Sequence, residues 1–312
     1  MTNTAVIGIS ANARRNRRIK VLVRWTPLLL LVPVAIELIV FRYIPSFSAI
    51  YHSFTNWDGL RRDHFVGFYN YKYLFGDRVF RAAFWNMLVY ATVRTLAILM
   101  MAFIAAELVL AVRSERLRMI WKVLFVLPMV VPRAVTYLMW AFLYDPQVGM
   151  INQLLTLLGL GGFTQPWLGQ SSSALLSLAF IGFPFVSTLA FLIFVASLEG
   201  ISRDLIETTD LEGGSVWQRI FAVDIPMLRG AIIFVTVLLI LEALQTVDPQ
   251  LILTRGGPGD STELPGYYLY RTAFQFQKFG MACAVGVLML LVGLVFSFAS
   301  IWVRYRGAYD VD

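Results

Sequence analysis

Five charged residues stand inside long apolar stretches of this 312-residue chain: Glu37, Arg94, Glu107, Arg133 and Glu242. A charge near the middle of a bilayer costs about 2.5–3.5 kcal/mol on insertion scales, so such residues face a cavity or one another. Glu37 and Arg94 are one candidate pair, whereas Glu107 and Arg42 lie near run ends and can snorkel to the interface. Arg133, Tyr137, Trp140 and Tyr144 recur at steps of four, three and four, which is one face of a helix. Glu242, Gln245 and Thr246 share another face at i, i+3 and i+4, with Asp248 just beyond. Gly182-Phe183-Pro184 can kink a helix and free backbone carbonyls. Rings stack on the C–H faces of sugars and fixed polar groups bond hydroxyls, so these residues suit a carbohydrate path. Helix–helix packing is the competing reading of the aromatic stripe.

Catalytic chemistry is poorly represented. His52 and His64 both precede the second apolar run and Cys283 is the only cysteine, which leaves no Ser/His or Cys/His nucleophile within a membrane. The same scarcity leaves too few soft ligands for a zinc or iron–sulfur site, so no metal is expected. No G-x-x-x-x-G-K-[ST] occurs, and Gly256-Gly257-Pro258-Gly259 lacks the lysine. The chain reads as a non-enzyme with no cofactor of its own.

The elements that must position these residues are membrane spans. The chain is 58% hydrophobic and 14% charged, where soluble domains carry roughly a quarter charged residues. Six runs meet the requirement of about 20 apolar residues per spanning helix: 26–44, 82–112, 120–143, 174–198, 228–247 and 281–303. The first follows a basic segment but carries Pro33 and Glu37 and is not followed by a small-x-small cleavage site, so it reads as an anchor. The net charge of +7 comes from basic residues clustered at run ends, which is membrane topology rather than nucleic-acid binding. Arg14, Arg15, Arg17, Arg18, Lys20 and Arg24 precede the first run; Arg113, Arg116, Arg118 and Lys122 follow the second; 144–173 holds no Lys or Arg. This bias predicts a multi-pass membrane protein with both termini in the cytoplasm. The loops 45–81, 144–173 and 248–280 are then external. The domain division is a basic N-terminus at 1–25, one six-span domain at 26–303, and a cytoplasmic tail at 304–312.

Residues 199–227, between the fourth and fifth runs, are the most informative. Ser202 before Arg203, Asp204 and Leu205 reads as an N-cap, and Gly213-Gly214 as an αL helix ending. A second short helix from Ser215 leads to Pro226, giving a two-helix knob on the cytoplasmic face. This segment resembles the EAA loop of ABC-importer permeases, whose pattern is Glu-Ala-Ala, three residues, Gly, nine residues, Ile, one residue, Leu-Pro. Glu207-Thr208-Thr209 stands for Glu-Ala-Ala, Gly213 follows after three residues, and Val223, Asp224, Ile225 and Pro226 close the pattern at the right spacing. The departures are Thr208 and Thr209 for the alanines, Glu212 for Asp, and Ile225 for Leu. Tyr43-Ile-Pro45 closing the first run, Phe65–Tyr71, Asn86, Leu127-Pro128, Pro132 and Thr254–Pro258 further resemble the maltose and glycerol-phosphate importer membrane subunits.

The resemblance implies an all-α, type I ABC importer permease fold with six transmembrane helices. It implies a role as half of the translocation path for a sugar or sugar-like solute. It also implies a second permease of the same fold, two ATP-binding subunits that hold ATP and Mg, and an extracytoplasmic substrate-binding protein. Glu207, Thr208, Thr209, Asp210, Glu212, Gly213, Gly214, Ile225 and Pro226 would then form the ATPase-coupling surface. Arg133, Tyr137, Trp140, Gly182, Phe183, Glu242, Gln245, Thr246 and Asp248 would line the substrate path. The alternative is an ion-coupled secondary carrier using Glu37, Arg133 and Glu242. A carrier would be expected to carry inverted repeats, and none is evident.

Overall fold

The computed structural model describes residues 30–60, 63–184, 187–211 and 213–309, and among them all regular structure is helical apart from a lone antiparallel bridge between Thr55 and Phe65. In chain order the helices are α1 (Leu30–His52), α2 (Tyr69–Gly76), α3 (Arg78–Ala111), α4 (Glu115–Val130), α5 (Arg133–Leu143), α6 (Met150–Leu157) and α7 (Ala174–Ala179). They continue as α8 (Thr188–Glu199), α9 (Arg203–Leu211), α10 (Val216–Met227), α11 (Arg229–Leu244), α12 (Pro265–Tyr270) and α13 (Phe279–Tyr309).

Each of the six apolar runs finds a helical counterpart, though among the described residues only α1, α3 and α13 are single helices long and apolar enough to cross a membrane unbroken. The third run is two helices, α4 and α5, meeting at 90° across Val131-Pro132. Pro128 and Pro132 explain the corner, because each removes a backbone donor and crowds the preceding turn. The fourth run stops at Ala179 and resumes at Thr188, with Gly182 at φ +87° in the gap. The fifth is α11, entered from α10 through a 65° bend.

The first run corrects an expectation. Tyr43-Ile-Pro45 does not close the span; α1 continues to His52. A π-helical turn, Ile39–Tyr43, precedes Pro45, and a second, Ile220–Asp224, precedes Pro226. The wider turn lets a helix pass a residue that has no N–H to give. Residues 26–29, like the basic segment 1–25, lie outside the described residues.

α3 is the central post, packing against α8 and α11 along its length. Ala102, Ala105 and Ala106 are small enough to admit Phe191 and Phe194 of α8, and Val235 and Leu239 of α11 complete that cluster. Apolar attraction between helices is weak in lipid, so close approach at small residues supplies much of the association. α13 packs on α1 and α11. At its start α3 is capped by Asp77, which accepts from the Val79 amide at 2.7 Å and from the Tyr268 hydroxyl at 2.7 Å.

The segment 255–264 folds over this end of α3. Asn86 donates to the carbonyls of Asp260 (3.0 Å) and Glu263 (3.1 Å), and the fully buried Glu263 pairs with Arg271 at 3.2 Å. Gly256 has φ +85°, and a Cβ there would collide with the Glu263 carboxylate. Burial pushes the Glu263 carboxyl up to about 7 against the pull of Arg271, with Asp260 and Asp77 adding to the rise. The folded chain therefore holds this proton where the unfolded chain releases it. Stability from it is full below about 4.5, the ordinary value, and is lost as pH rises through about 7. Amides of 255–264 should be better protected from exchange at about pH 5.5 than at about pH 7.5, after correction for intrinsic rates, and Glu263→Gln should flatten the difference. Equal protection of the wild type at both pH values would refute this.

Candidate functional site

The breaks in the third and fourth runs open two adjoining cavities against α3 and α11, each of about 420 Å³. They share Arg94, Arg133, Tyr137, Leu238 and Glu242. The first is completed by Tyr90, Gln245, Thr246 and Asp248, the second by Gly182, Phe183, Ser187 and Thr188. Eight of the nine residues expected on the substrate path thus line one or both of these adjoining cavities. Trp140 is the correction. It is absent from both linings, and its ring packs 5.0 Å from Tyr144 in a cluster with Met87 and Leu178. The stripe turns out to be split, with Arg133 and Tyr137 on the cavity and Trp140 and Tyr144 in packing.

Arg133 pairs with Glu242 at 3.2 Å across the wall common to both cavities. Each charge sits at the wrong helix end. Arg133 is the first residue of α5, where the backbone dipole is positive, and Glu242 lies in the last turn of α11, where it is negative. Only the pairing offsets both. The two side chains are 70% and 42% exposed, so the bridge belongs with solvated pairs contributing about 0–1 kcal/mol. It is cheap to open.

Arg94 does not meet Glu37. It donates to the carbonyls of Ala179 (3.1 Å) and Ile181 (3.2 Å), which the end of α7 leaves without helical partners, and lies over the Tyr90 ring at 5.9 Å. Glu37 is exposed on α1 and lines neither cavity. Glu107 does not snorkel either; it is bound to Arg219 at 3.3 Å. Tyr90 and Leu238 also line the cavity, and sequence patterns gave no sign of them.

At the other end of α3, α9 and α10 form the two-helix knob. Thr208 and Thr209, the departures from alanine, return their hydroxyls to the carbonyls of Asp204 (2.7 Å) and Leu205 (3.0 Å), which satisfies them within the helix. Gly213 has φ +74° and the Gly214 amide donates to the Thr209 carbonyl at 3.0 Å, the expected αL ending. Ser215 and Gln218 form a reciprocal capping box that starts α10. Glu207 and Pro226 are exposed and Ile225 half-buried, whereas Glu212 and the Asp210 side chain lie outside the described residues. Leu211, Val216, Trp217 and Phe221 present apolar groups at 88%, 64%, 69% and 65% exposure. Exposed apolar groups of this kind beside polar residues suit an interaction surface. The coupling expectation named the acids; the exposure of Trp217 and Phe221 had no sequence signal.

An all-helical membrane protein with a charged cavity at its helix breaks and an exposed apolar knob at one end has the parts of a transport permease. No family model matches the chain. It is 32% identical over 277 residues to a probable ABC transporter permease, YurN, of Bacillus subtilis, covering 87% of this chain and 93% of that one. It is 32% identical to the diacetylchitobiose uptake system permease NgcF of Streptomyces coelicolor (85% and 78% covered). It is 28% identical to the sn-glycerol-3-phosphate transport system permease UgpA of Escherichia coli (91% and 97%). In fold it matches a chain of a bacterial ABC transporter that imports the acidic polysaccharide alginate, with TM-score 0.78 at 20% identity over 93% of this chain and 99% of that one. The chain belongs to the ABC transporter permease family.

Proposed function

We propose that this chain is one membrane subunit of a binding-protein-dependent ABC importer, forming half of the translocation path for a sugar or sugar-like solute. The observation that carries the reading is the joint presence, along the single post α3, of adjoining cavities that share Arg94, Arg133 and Glu242 and of the knob whose spacing resembles the EAA loop. The relatives named for diacetylchitobiose uptake and glycerol-phosphate transport support the solute class. The alginate transporter was solved with a periplasmic protein bound to alginate pentasaccharide, which supports a binding-protein partner. The further partners are a second permease of the same fold and two ATP-binding subunits, which hold the ATP and Mg. Residues 199–227 dock on those subunits, the termini are cytoplasmic, and 255–264 faces the binding protein.

The solute we favour is neutral. Arg94 and Arg133 are balanced by Glu242 and Asp248, Arg94 is committed to two carbonyls, and Arg133 is paired. Tyr137 and Gln245 supply neutral hydrogen-bonding groups to the lining, which suits hydroxyls better than carboxylate or phosphate. Co-expression with the partners and reconstitution in proteoliposomes test the proposal. ATP-dependent uptake of a neutral oligosaccharide, stimulated by the binding protein and exceeding that of its phosphorylated counterpart, is the expected result. Uptake driven by a proton or sodium gradient without ATP would restore the carrier and overturn the importer.

A further inference from the structure

Arg219 lies on α10, immediately after the capping box that fixes the start of that helix. Its Nη2 is 3.3 Å from Glu107 Oε2 on α3, and its Nε donates to Asp224 Oδ2 at 3.1 Å. The acids are 13% and 4% exposed, and Glu107 Oε1 is buried without a hydrogen-bond partner. Two enclosed carboxylates thus share one guanidinium. Glu107 also approaches the C-terminal end of α3, where the backbone dipole disfavours a negative charge. Removing the cation would leave both acids uncompensated, so the contact holds against force better than a solvated bridge. Lys122 and Glu199, at 2.6 Å, make another tie near this end, between α4 and α8, but it does not touch the knob.

We propose that Arg219 is a positioning residue that makes α3 move with the docking knob. Thirteen residues separate Glu107 from Arg94, about 20 Å of the same helix. Displacement of the knob by the ATPase subunits is then delivered along α3 to Tyr90 and Arg94 in the cavity wall. From Arg94 it passes to the carbonyls of the broken span. The proposal rests on the importer reading and adds the element that carries its stroke.

The test uses the complete reconstituted importer with Arg219→Ala, Arg219→Lys and Glu107→Gln. The readout is solute transported per ATP hydrolysed, beside retention of the ATPase subunits. Arg219→Ala is expected to keep the ATPase subunits bound and hydrolysing while solute per ATP falls about five- to tenfold, the low end of typical coupling energies. Arg219→Lys should restore part of the ratio because it retains the charge. Glu107→Gln, which preserves shape should the alanine variant fold poorly, should lower the ratio in the same direction. A wild-type ratio in both Arg219→Ala and Glu107→Gln, or equal loss of uptake and hydrolysis, overturns the assignment. If the wild-type complex itself shows no ATP-linked uptake, the importer reading falls and takes this inference with it.

Discussion

Gly213→Val should abolish uptake while the protein remains in the membrane at normal abundance. Gly213 has φ +74°, and a Cβ added there meets nothing within 4 Å. The isolated chain therefore suffers no collision, only the strain of a β-branched residue in the left-handed region, about 1–3 kcal/mol. That is too little to prevent insertion and packing of the spans. It is enough to shift the ending of α9 and with it the surface formed by Leu211, Val216 and Trp217. Gly214 has a different reason to be glycine, since a Cβ there would lie 2.9 Å from the Thr209 carbonyl. Asparagine tolerates the left-handed region, so Gly213→Asn should retain much of the uptake lost in the valine variant. Uptake by Gly213→Val at the wild-type level, with the ATPase subunits co-purifying at normal ratio, would show that the knob is not the coupling element.

Arg94→Ala should be nearly as damaging, at the opposite end of the stroke. The carbonyls of Ala179 and Ile181, on residues only 3% and 6% exposed, lose their donor, and an orphaned buried acceptor costs about 1–3 kcal/mol. Two such losses fall on the gap that shapes the second cavity. The expected result is lost transport together with a lower unfolding temperature of the purified complex. Arg94→Lys, which keeps a multi-proton cationic donor but on a shorter, more strongly hydrated head than the Nη1 that serves both carbonyls, should be intermediate. Normal uptake by Arg94→Ala would refute the structural account of the break.

The spans were legible because hydropathy and charge report directly on the bilayer, and α3 and α13 fall within a few residues of the runs at 82–112 and 281–303. Gly213 was legible because a helix ending of that kind leaves a local glycine signature. Arg133, Tyr137, Glu242 and Gln245 were legible as faces, since period alone brings them to one side. The right angle between α4 and α5 was not, because an apolar run has the same hydropathy straight or bent; Pro128 and Pro132 permitted the corner without fixing its size. Arg94 was misassigned to Glu37 because its true acceptors are backbone carbonyls, which no side-chain pattern reveals. Glu107 and Arg219 are 112 residues apart, and only the packed fold brings them together. Trp140 shows the limit of periodicity, since a helical face can begin on a cavity and finish in a core.

The length of α3 has a consequence for the lipid around it. Its 34 residues span about 51 Å against a hydrocarbon thickness of about 30 Å. A helix of such excess normally adjusts to bilayer thickness by tilting. Here Tyr268 holds the capping Asp77 at one end and Arg219 holds Glu107 near the other, so α3 is tied to its neighbours at both ends and tilts only with them. Mismatch in thickness is therefore met by the bundle as a whole or by the lipid around it, and acyl-chain length reaches every helix that packs on α3 rather than α3 alone.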